Sequence, residues 1–262
     1  MTGVERISAA FEAARSENRA ALMPYLTAGY PDRATFLRDA AVLLGQADLI
    51  EIGLPYSDPL GDGPTVQASG QAALDAGIKV ADVLELISEV SRHGKPVLAM
   101  SYYNPIYCYA GGETAFLQAL AEAGAAGVIL PDLPPEEAGV LRGKAAELGL
   151  ATVFLIAPTS TAERLKLVTE ACSGFVYCVA VTGVTGARDT VADDLPEMLQ
   201  AARTVTDLPL AVGFGVSDGR TAAQVAKLAD GVIVGSAIIN RQRNGEDLSA
   251  FATELAGGCR NG

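Results

Sequence analysis

The feature that most constrains the fold is a series of eight short apolar runs that alternate with longer amphipathic segments. Apart from a few residues, among them Asp48, Glu51 and Asp230, the runs are apolar throughout rather than alternating, which is typical of parallel strands that are buried on both faces. Between them, segments such as 32–46 place apolar residues, among them Leu37 and Leu44, on one helical face. The sequence therefore predicts an α/β fold with a parallel sheet. The predicted strands are 22–26, 48–53, 96–100, 126–131, 151–156, 174–179, 208–213 and 230–235.

Two parallel architectures compete for this pattern. Eight strand–helix units in 262 residues are typical of a (β/α)8 TIM barrel. An open doubly wound sheet usually carries G-x-G-x-x-G after its first strand, whereas this chain has TAGYP at 27–31. We therefore predict the barrel, with an extra N-terminal helix over about 3–16 and a long loop after strand 2. No linker or low-complexity tract interrupts the chain, so we expect a single domain over 1–262.

Local sequence also predicts where two of the helices begin. Residues 134–137, PPEE, place proline and acids where a first helical turn favours them. Ser160 and Glu163 have the spacing of a capping box at the start of the helix after strand 5.

Composition excludes several classes of function. A net charge of −12 argues against nucleic-acid binding. The N-terminus lacks the apolar core of a signal peptide, and the longest apolar runs, such as 231–239, are too short to span a bilayer. The cysteines are far apart and the one histidine, His93, follows a helix, so no zinc pattern is present. We expect a cytoplasmic protein whose anionic ligands, if any, bind to backbone N–H groups.

The stretch EIGLPYSDPLGDGPTVQ, residues 51–67, carries three carboxylates at the end of predicted strand 2, where barrels place their active sites. Glu51 has apolar neighbours. Burial without a partner would raise its pKa toward neutrality, which suits a group that gives and takes protons, and the alternative is an ion pair with Arg or Lys. Asp58 and Asp62 lie among prolines and glycines, where a plain turn is the alternative to ligand binding.

Asp62 follows in the same loop that leaves Glu51, so the two carboxylates can reach opposite sides of one small ligand. A divalent metal usually requires further acids or histidines, and Asp132 at the end of strand 4 is the one further candidate. We therefore predict no metal site.

A second group of candidates follows strands 6 to 8, where barrels commonly bind phosphate. Glycines occur at all three strand ends and let backbone N–H groups approach an anion, although tight turns are an alternative reason for each of them. Tyr177 in strand 6 points either into the core or into the barrel mouth, and Tyr102, Tyr103 and Asn104 form a polar and aromatic rim. The predicted phosphate-binding residues include Gly215, Gly235 and Ser236.

Seven motifs follow one another along nearly the whole chain: PYLTAGYP (24–31), EIGLPYSDPLGDGPTVQ (51–67), SYYNPIYCYAGG (101–112), GVILPDLPPEE (127–137), GVTGAR (183–188), GFGVS (213–217) and GSAI (235–238). In this order they resemble the tryptophan synthase α subunit family. The resemblance implies a lyase that cleaves indole-3-glycerol phosphate into indole and glyceraldehyde 3-phosphate without a cofactor.

The resemblance also implies roles for individual residues. Glu51 would be the general acid–base, Asp62 would bind the indole N–H, and Tyr177 would assist near Glu51. The phosphate would bind at Gly186, Gly215, Gly235 and Ser236. The indole pocket would contain Tyr25, Met100, Ile129 and Phe214.

A partner is implied as well. The family works as an α2β2 complex with a β subunit that holds pyridoxal phosphate, and Pro55, Asp58 and the Asn104-Pro105 loop match its interface. The chain departs from the family pattern in CVAVT at 178–182 and in Gly61, where alanine is usual. Gly61 should make its loop more mobile.

Three functions remain open at this point. The chain is the lyase subunit of tryptophan biosynthesis, a free-standing indole-releasing lyase of a specialised pathway, or a non-catalytic activator of a β subunit. An unpaired buried acid at Glu51 argues against the activator, which has no need for it.

Overall fold

A computed structural model describes residues 1–180, 194–213 and 215–260. Over these residues nine strands, all paired in parallel, form one sheet in the order β5-β4-β3-β2-β1-β9-β8-β7-β6. The strands are β1 Ala21–Thr27, β2 Ile50–Gly53, β3 Val97–Met100, β4 Gly127–Ile129, β5 Ala151–Val153, β6 Leu155–Ile156, β7 Val176–Val179, β8 Leu210–Gly213 and β9 Gly231–Val234.

The sheet closes into a barrel through one extended run of chain. Its two edges, β5 and β6, are consecutive pieces of 151–156 that are separated only by Phe154. β5 pairs with β4 and β6 pairs with β7, and the Phe154 carbonyl accepts a hydrogen bond from the Tyr177 N–H at 3.2 Å. The eight predicted strands and the TIM barrel are confirmed, with the fifth strand split in two, and the doubly wound alternative is wrong.

Helices cover the outside of the barrel, and one helix closes its N-terminal end. Ile7 and Phe11 of the first helix pack inside the strand starts, with the Phe11 and Phe175 rings 5.7 Å apart. The predicted N-terminal helix is therefore confirmed, and no described helix is long and apolar enough to cross a membrane. The helices are α1 Gly3–Ser16, α2 Arg33–Leu44, α3 Pro64–Asp75, α4 Val80–Ser91, α5 Tyr103–Tyr107, α6 Gly112–Glu122, α7 Gly139–Glu147, α8 Ala162–Ala171, α9 Leu195–Arg203, α10 Gly219–Ala226, α11 Ser236–Arg243 and α12 Leu248–Arg260.

Both predicted helix starts are wrong, that of α7 by several residues and that of α8 by one. Residues 134–137 form a turn, and α7 begins only at Gly139. The N-cap of α8 is Thr161, whose hydroxyl accepts from the Arg164 N–H at 3.2 Å, because the Ser160 hydroxyl is already bonded to the Ala157 N–H.

The prediction that Asn104 and Pro105 form a loop is also wrong. Asn104 and Pro105 lie in the short helix α5, and Asp132 accepts a hydrogen bond at 2.9 Å from the Tyr103 N–H in its first turn. Proline is tolerated there because a first-turn N–H has no partner within the helix. The long loop between β2 and α3, residues 54–63, is present as predicted.

A buried ion pair fixes the start of β1 against the start of β2. Both terminal guanidinium nitrogens of Arg19 donate to Asp48, at 2.6 and 2.8 Å, and the Leu22 N–H donates to the same carboxylate at 2.9 Å. The side chains are only 12% and 7% exposed. Since β2 carries Glu51 three residues further on, this pair also holds the register that places Glu51.

Replacing Asp48 should test how much the barrel depends on this pair. Asp48→Ala removes the carboxylate that accepts from both terminal nitrogens of the buried Arg19 and from the Leu22 N–H, so we expect the free energy of unfolding to fall by about 3 kcal/mol. Urea denaturation at pH 7 measures it. Glu17→Ala removes the exposed carboxylate from the same arginine and should cost less than about 1 kcal/mol. Equal losses in the two variants would contradict the account.

Candidate active site

A cavity of about 350 Å³ opens at the carboxyl ends of the strands and contains most of the predicted site residues. Ile129 does not line it but lies, fully buried, in the core beneath. Two further predicted residues, Gly186 and Phe214, lie outside the described residues. The predicted residues that line the cavity are Tyr25, Glu51, Asp62, Met100, Tyr177, Gly215, Gly235 and Ser236.

Glu51 carries a fully buried carboxyl group. It lies in the middle of the barrel sheet, paired in register with Tyr25 on β1 and Leu98 on β3, and it is 0% exposed. Neither carboxyl oxygen has a hydrogen-bond partner within the described part of the chain, where no arginine or lysine forms the alternative ion pair. Burial, with a smaller effect from the nearby charge of Asp62, raises the pKa of Glu51 to about 8. The group therefore carries its proton at neutral pH.

Two tyrosines flank Glu51, and each occupies space left by a glycine on the next strand. A Cβ at Gly53 on β2 would lie 2.0 Å from the Tyr25 hydroxyl, and one at Gly213 on β8 would lie 2.4 Å from the Tyr177 hydroxyl. Burial has the largest effect on the pKa of Tyr177 and raises it, and the charge of Glu51 raises it further. Tyr177 thus lies both in the core and at the mouth, since its ring packs in the inner core while it also lines the cavity.

Asp62 faces the same cavity from the loop between β2 and α3. Partial burial raises its pKa to about 6, and the interaction of its carboxylate with the Tyr102 hydroxyl opposes that rise. The Asp62 backbone carbonyl is held by the Gln67 side chain at 2.8 Å. Asp58 is exposed instead and accepts from the Ser57 hydroxyl. Of the two loop acids, only Asp62 therefore contributes to the cavity.

The predicted phosphate-binding residues line the rim of the cavity. Gly215 has φ +83°, a left-handed conformation that favours glycine. Ser236 begins α11, so first-turn N–H groups without helical partners and the positive end of the helix dipole lie at the cavity. The space around position 235 does not require glycine, because a Cβ there would stand 3.5 Å from Tyr25, an ordinary van der Waals distance.

Several wall residues were missed by the sequence analysis. They are mostly apolar side chains whose type fits a core strand equally well, so the sequence carried no signal for them beyond their place at strand ends. Tyr102 was predicted only as part of a rim, although its hydroxyl reaches the Asp62 loop. The missed residues include Val66, Leu155, Ile156, Ser160, Val179, Val216 and Ile233.

The arrangement suits proton transfer on an apolar, anion-bearing ligand. A protonated carboxyl group and a second, more readily ionised one face one largely apolar space, and backbone N–H donors lie at its edge. No group of three or more His, Cys, Asp or Glu residues able to hold a metal occurs in the described ranges.

Comparisons of sequence assign the chain to a family. A family model for the tryptophan synthase alpha chain matches residues 11–259. A protein named tryptophan synthase alpha chain from Deinococcus radiodurans is 53% identical over 260 residues, covering 98% of this chain and 96% of the relative. Another of that name, from Streptomyces avermitilis, is 46% identical and covers 98% and 95%.

Solved structures agree with the sequences. A chain in a crystal structure of tryptophan synthase from M. tuberculosis superposes with a TM-score of 0.90 at 42% identity, covering 98% of this chain and 99% of the other. A mutant tryptophan synthase α-subunit from Pyrococcus furiosus superposes with a TM-score of 0.83 at 36% identity, covering 91% and 98%. With matches of this extent in sequence and in structure, the chain belongs to the tryptophan synthase alpha chain family.

Proposed function

We propose that Glu51 and Asp62 carry out the reaction of this family in this chain. The chain is a lyase of tryptophan biosynthesis that cleaves indole-3-glycerol phosphate to indole and glyceraldehyde 3-phosphate. The observation that supports Glu51 most strongly is its full burial beside an open cavity, with no hydrogen-bond partner among the described residues. Such a carboxyl group is protonated at neutral pH and is ready to donate.

Glu51 takes part in two proton transfers in the proposed reaction. It first protonates C3 of the indole ring, whose C2–C3 π electrons form the new C–H bond and leave positive charge on C2 and N1. The resulting carboxylate then removes the proton from the hydroxyl on the adjoining glycerol carbon. The O–H electrons form the aldehyde C=O, the C–C bond breaks, and its electrons restore the indole. Glu51 ends protonated, so the cycle is complete.

Asp62 stabilises the positive charge that develops on the ring. An ionised carboxylate that accepts a hydrogen bond from the indole N–H favours the charged intermediate in a low-dielectric cavity. The two acids have different environments, with Glu51 fully buried and Asp62 only partly buried, and their pKa values separate accordingly. This separation supports one protonated and one ionised group at pH 7.

The remaining site residues hold the two ends of the substrate in this proposal. Gly215, Gly235 and Ser236, together with Gly186, bind the phosphate through backbone N–H groups and the Ser236 hydroxyl. The indole ring lies against the apolar wall, where Tyr25 and Met100 are lining residues. Tyr177 packs beside Glu51 and keeps water away from it. Phe214 is assigned to the indole pocket, and Ile129 supports its floor from the core.

An alpha chain of this family has a β subunit as partner, and pyridoxal phosphate belongs to that subunit. We infer an α2β2 complex in which the β subunit binds the face formed by the 54–63 loop and α5. Leu60 and Tyr107, large side chains that are 94% and 66% exposed, lie on these two segments. The predicted contacts on the same two segments are Pro55, Asp58, Asn104 and Pro105.

Activity of the purified chain tests these assignments. We expect Glu51→Gln to lower indole release by about 1,000-fold or more, because both proton transfers are lost. Asp62→Asn should lower it by about 100-fold through weaker charge stabilisation. A β subunit should accelerate the wild type manyfold. Fast release by the chain alone would instead indicate a free-standing lyase, and a Glu51→Gln variant that keeps a tenth of the activity would refute the role of Glu51.

The pH dependence of kcat/KM provides a second test. Asp62 must be ionised, so activity should rise with pH through about 6, and Glu51 must start protonated, so activity should fall above about 8. We expect a bell-shaped profile whose two apparent pKa values belong to the interacting pair. Steady-state rates between pH 5 and 10 measure it. Activity that stays constant up to pH 10 would contradict the assignment of Glu51 as the initial proton donor.

A further inference from the structure

We propose that Tyr102 is a positioning residue for the reaction. From the end of β3 it holds the 54–63 loop, which carries Asp62, over the cavity. The proposal depends on the role proposed above for Asp62. The Tyr102 hydroxyl accepts a hydrogen bond at 2.9 Å from the N–H of Gly61, the residue directly before Asp62. The same hydroxyl also interacts with the Asp62 carboxylate and lowers its pKa. A phenol can do both at once, since it has one proton and free lone pairs.

The ring of Tyr102 contacts the other end of the same loop. It is only 5% exposed and packs against Tyr56, with ring centroids 5.3 Å apart. The residues between Tyr56 and Asp62 are therefore spanned by one side chain, which contacts the start of the segment through its ring and the end through its hydroxyl.

The backbone around Tyr102 is itself fixed. The N–H of the preceding residue, Ser101, donates to the Ile129 carbonyl at 3.1 Å, and the Ser101 hydroxyl donates to the Tyr102 carbonyl at 2.8 Å. On the other side, the Tyr103 N–H is bound by Asp132. A side chain whose backbone is anchored in this way can fix the position of a loop that has fewer contacts of its own.

The loop has few other connections to the barrel. Leu60 is almost fully exposed, and the remaining hydrogen bonds recorded for residues 58–62 run within the loop or to Gln67 on α3. Within the described residues, Tyr102 is thus the side chain that connects this segment to the strands. Glycine at position 61 allows this close contact, because a Cβ there would stand 3.3 Å from the Tyr102 hydroxyl, which is tighter than most contacts of a Cβ.

The contact also affects the charge of Asp62. Burial raises the pKa of Asp62, whereas the hydrogen bond from Tyr102 lowers it. The other titratable groups that face Asp62 are Glu51 on β2, Tyr25 on β1 and Tyr177 on β7, and none of these lowers its pKa. Tyr102 is therefore the group that favours the ionised form which the reaction needs.

Tyr102→Phe tests the proposal, because it keeps the ring and removes only the hydroxyl. We expect kcat for indole release at pH 7 to fall about tenfold, with KM changed by less than about threefold. The acid limb of kcat/KM should move up by about one pH unit, since the folded pKa of Asp62 rises when its donor is lost. The measurements use the full chain, alone and with its β subunit.

Tyr103→Phe is the matched control. It removes a neighbouring hydroxyl that is also bonded to a carboxylate, that of Glu113 at 3.1 Å, and it should leave the acid limb in place. Adding Tyr102→Phe to Asp62→Asn should cost little more than Asp62→Asn alone, because both changes act on one interaction. Full additivity, or an unmoved acid limb in Tyr102→Phe, would overturn the positioning role. Full activity of Asp62→Asn itself would refute the proposed function of Asp62 instead.

Discussion

The constraint on which the site depends is the complete burial of one carboxyl group, that of Glu51. Glu51 sits inside a closed parallel barrel with both oxygens unbonded within the described residues, and the low polarity around it raises its pKa to about 8. An uncompensated polar group of this kind costs stability, so the surrounding fold must hold it there. The proposed chemistry depends on the raised pKa that results from this burial, because a carboxyl group that is protonated at neutral pH can both donate and recover a proton.

The fold fixes Glu51 from several directions. The buried pair of Arg19 and Asp48 sets the start of β2 against β1, and the closed sheet leaves no edge along which the strand could slip. At the open end, Tyr25 and Tyr177 stand over glycines that leave room for their hydroxyls. The rigid strands thus present the acid–base group, whereas Asp62 comes from a loop and takes its position from neighbours.

Much of this was predictable from the sequence, and the reasons differ between residues. Continuous apolar runs identified the strands, and an acid inside one of them identified Glu51 as anomalous. The split at Phe154 was not predictable, because barrel closure decides which neighbour each half pairs with. The start of α8 at Thr161 depended on a bond between Ser160 and Ala157 that spacing alone does not reveal. The single-domain organisation and the role of each site residue stay predictions.

The most direct test of this account is the ionisation state of Glu51 itself. Infrared difference spectra between the wild type and Glu51→Gln, recorded without substrate from pH 5 to 10, isolate its carboxyl stretch. The account predicts a protonated carboxyl band at pH 7 that is lost on titration near pH 8. A carboxylate band already complete at pH 6 would show an ordinary glutamate, and the proposed proton transfer from Glu51 would then be wrong.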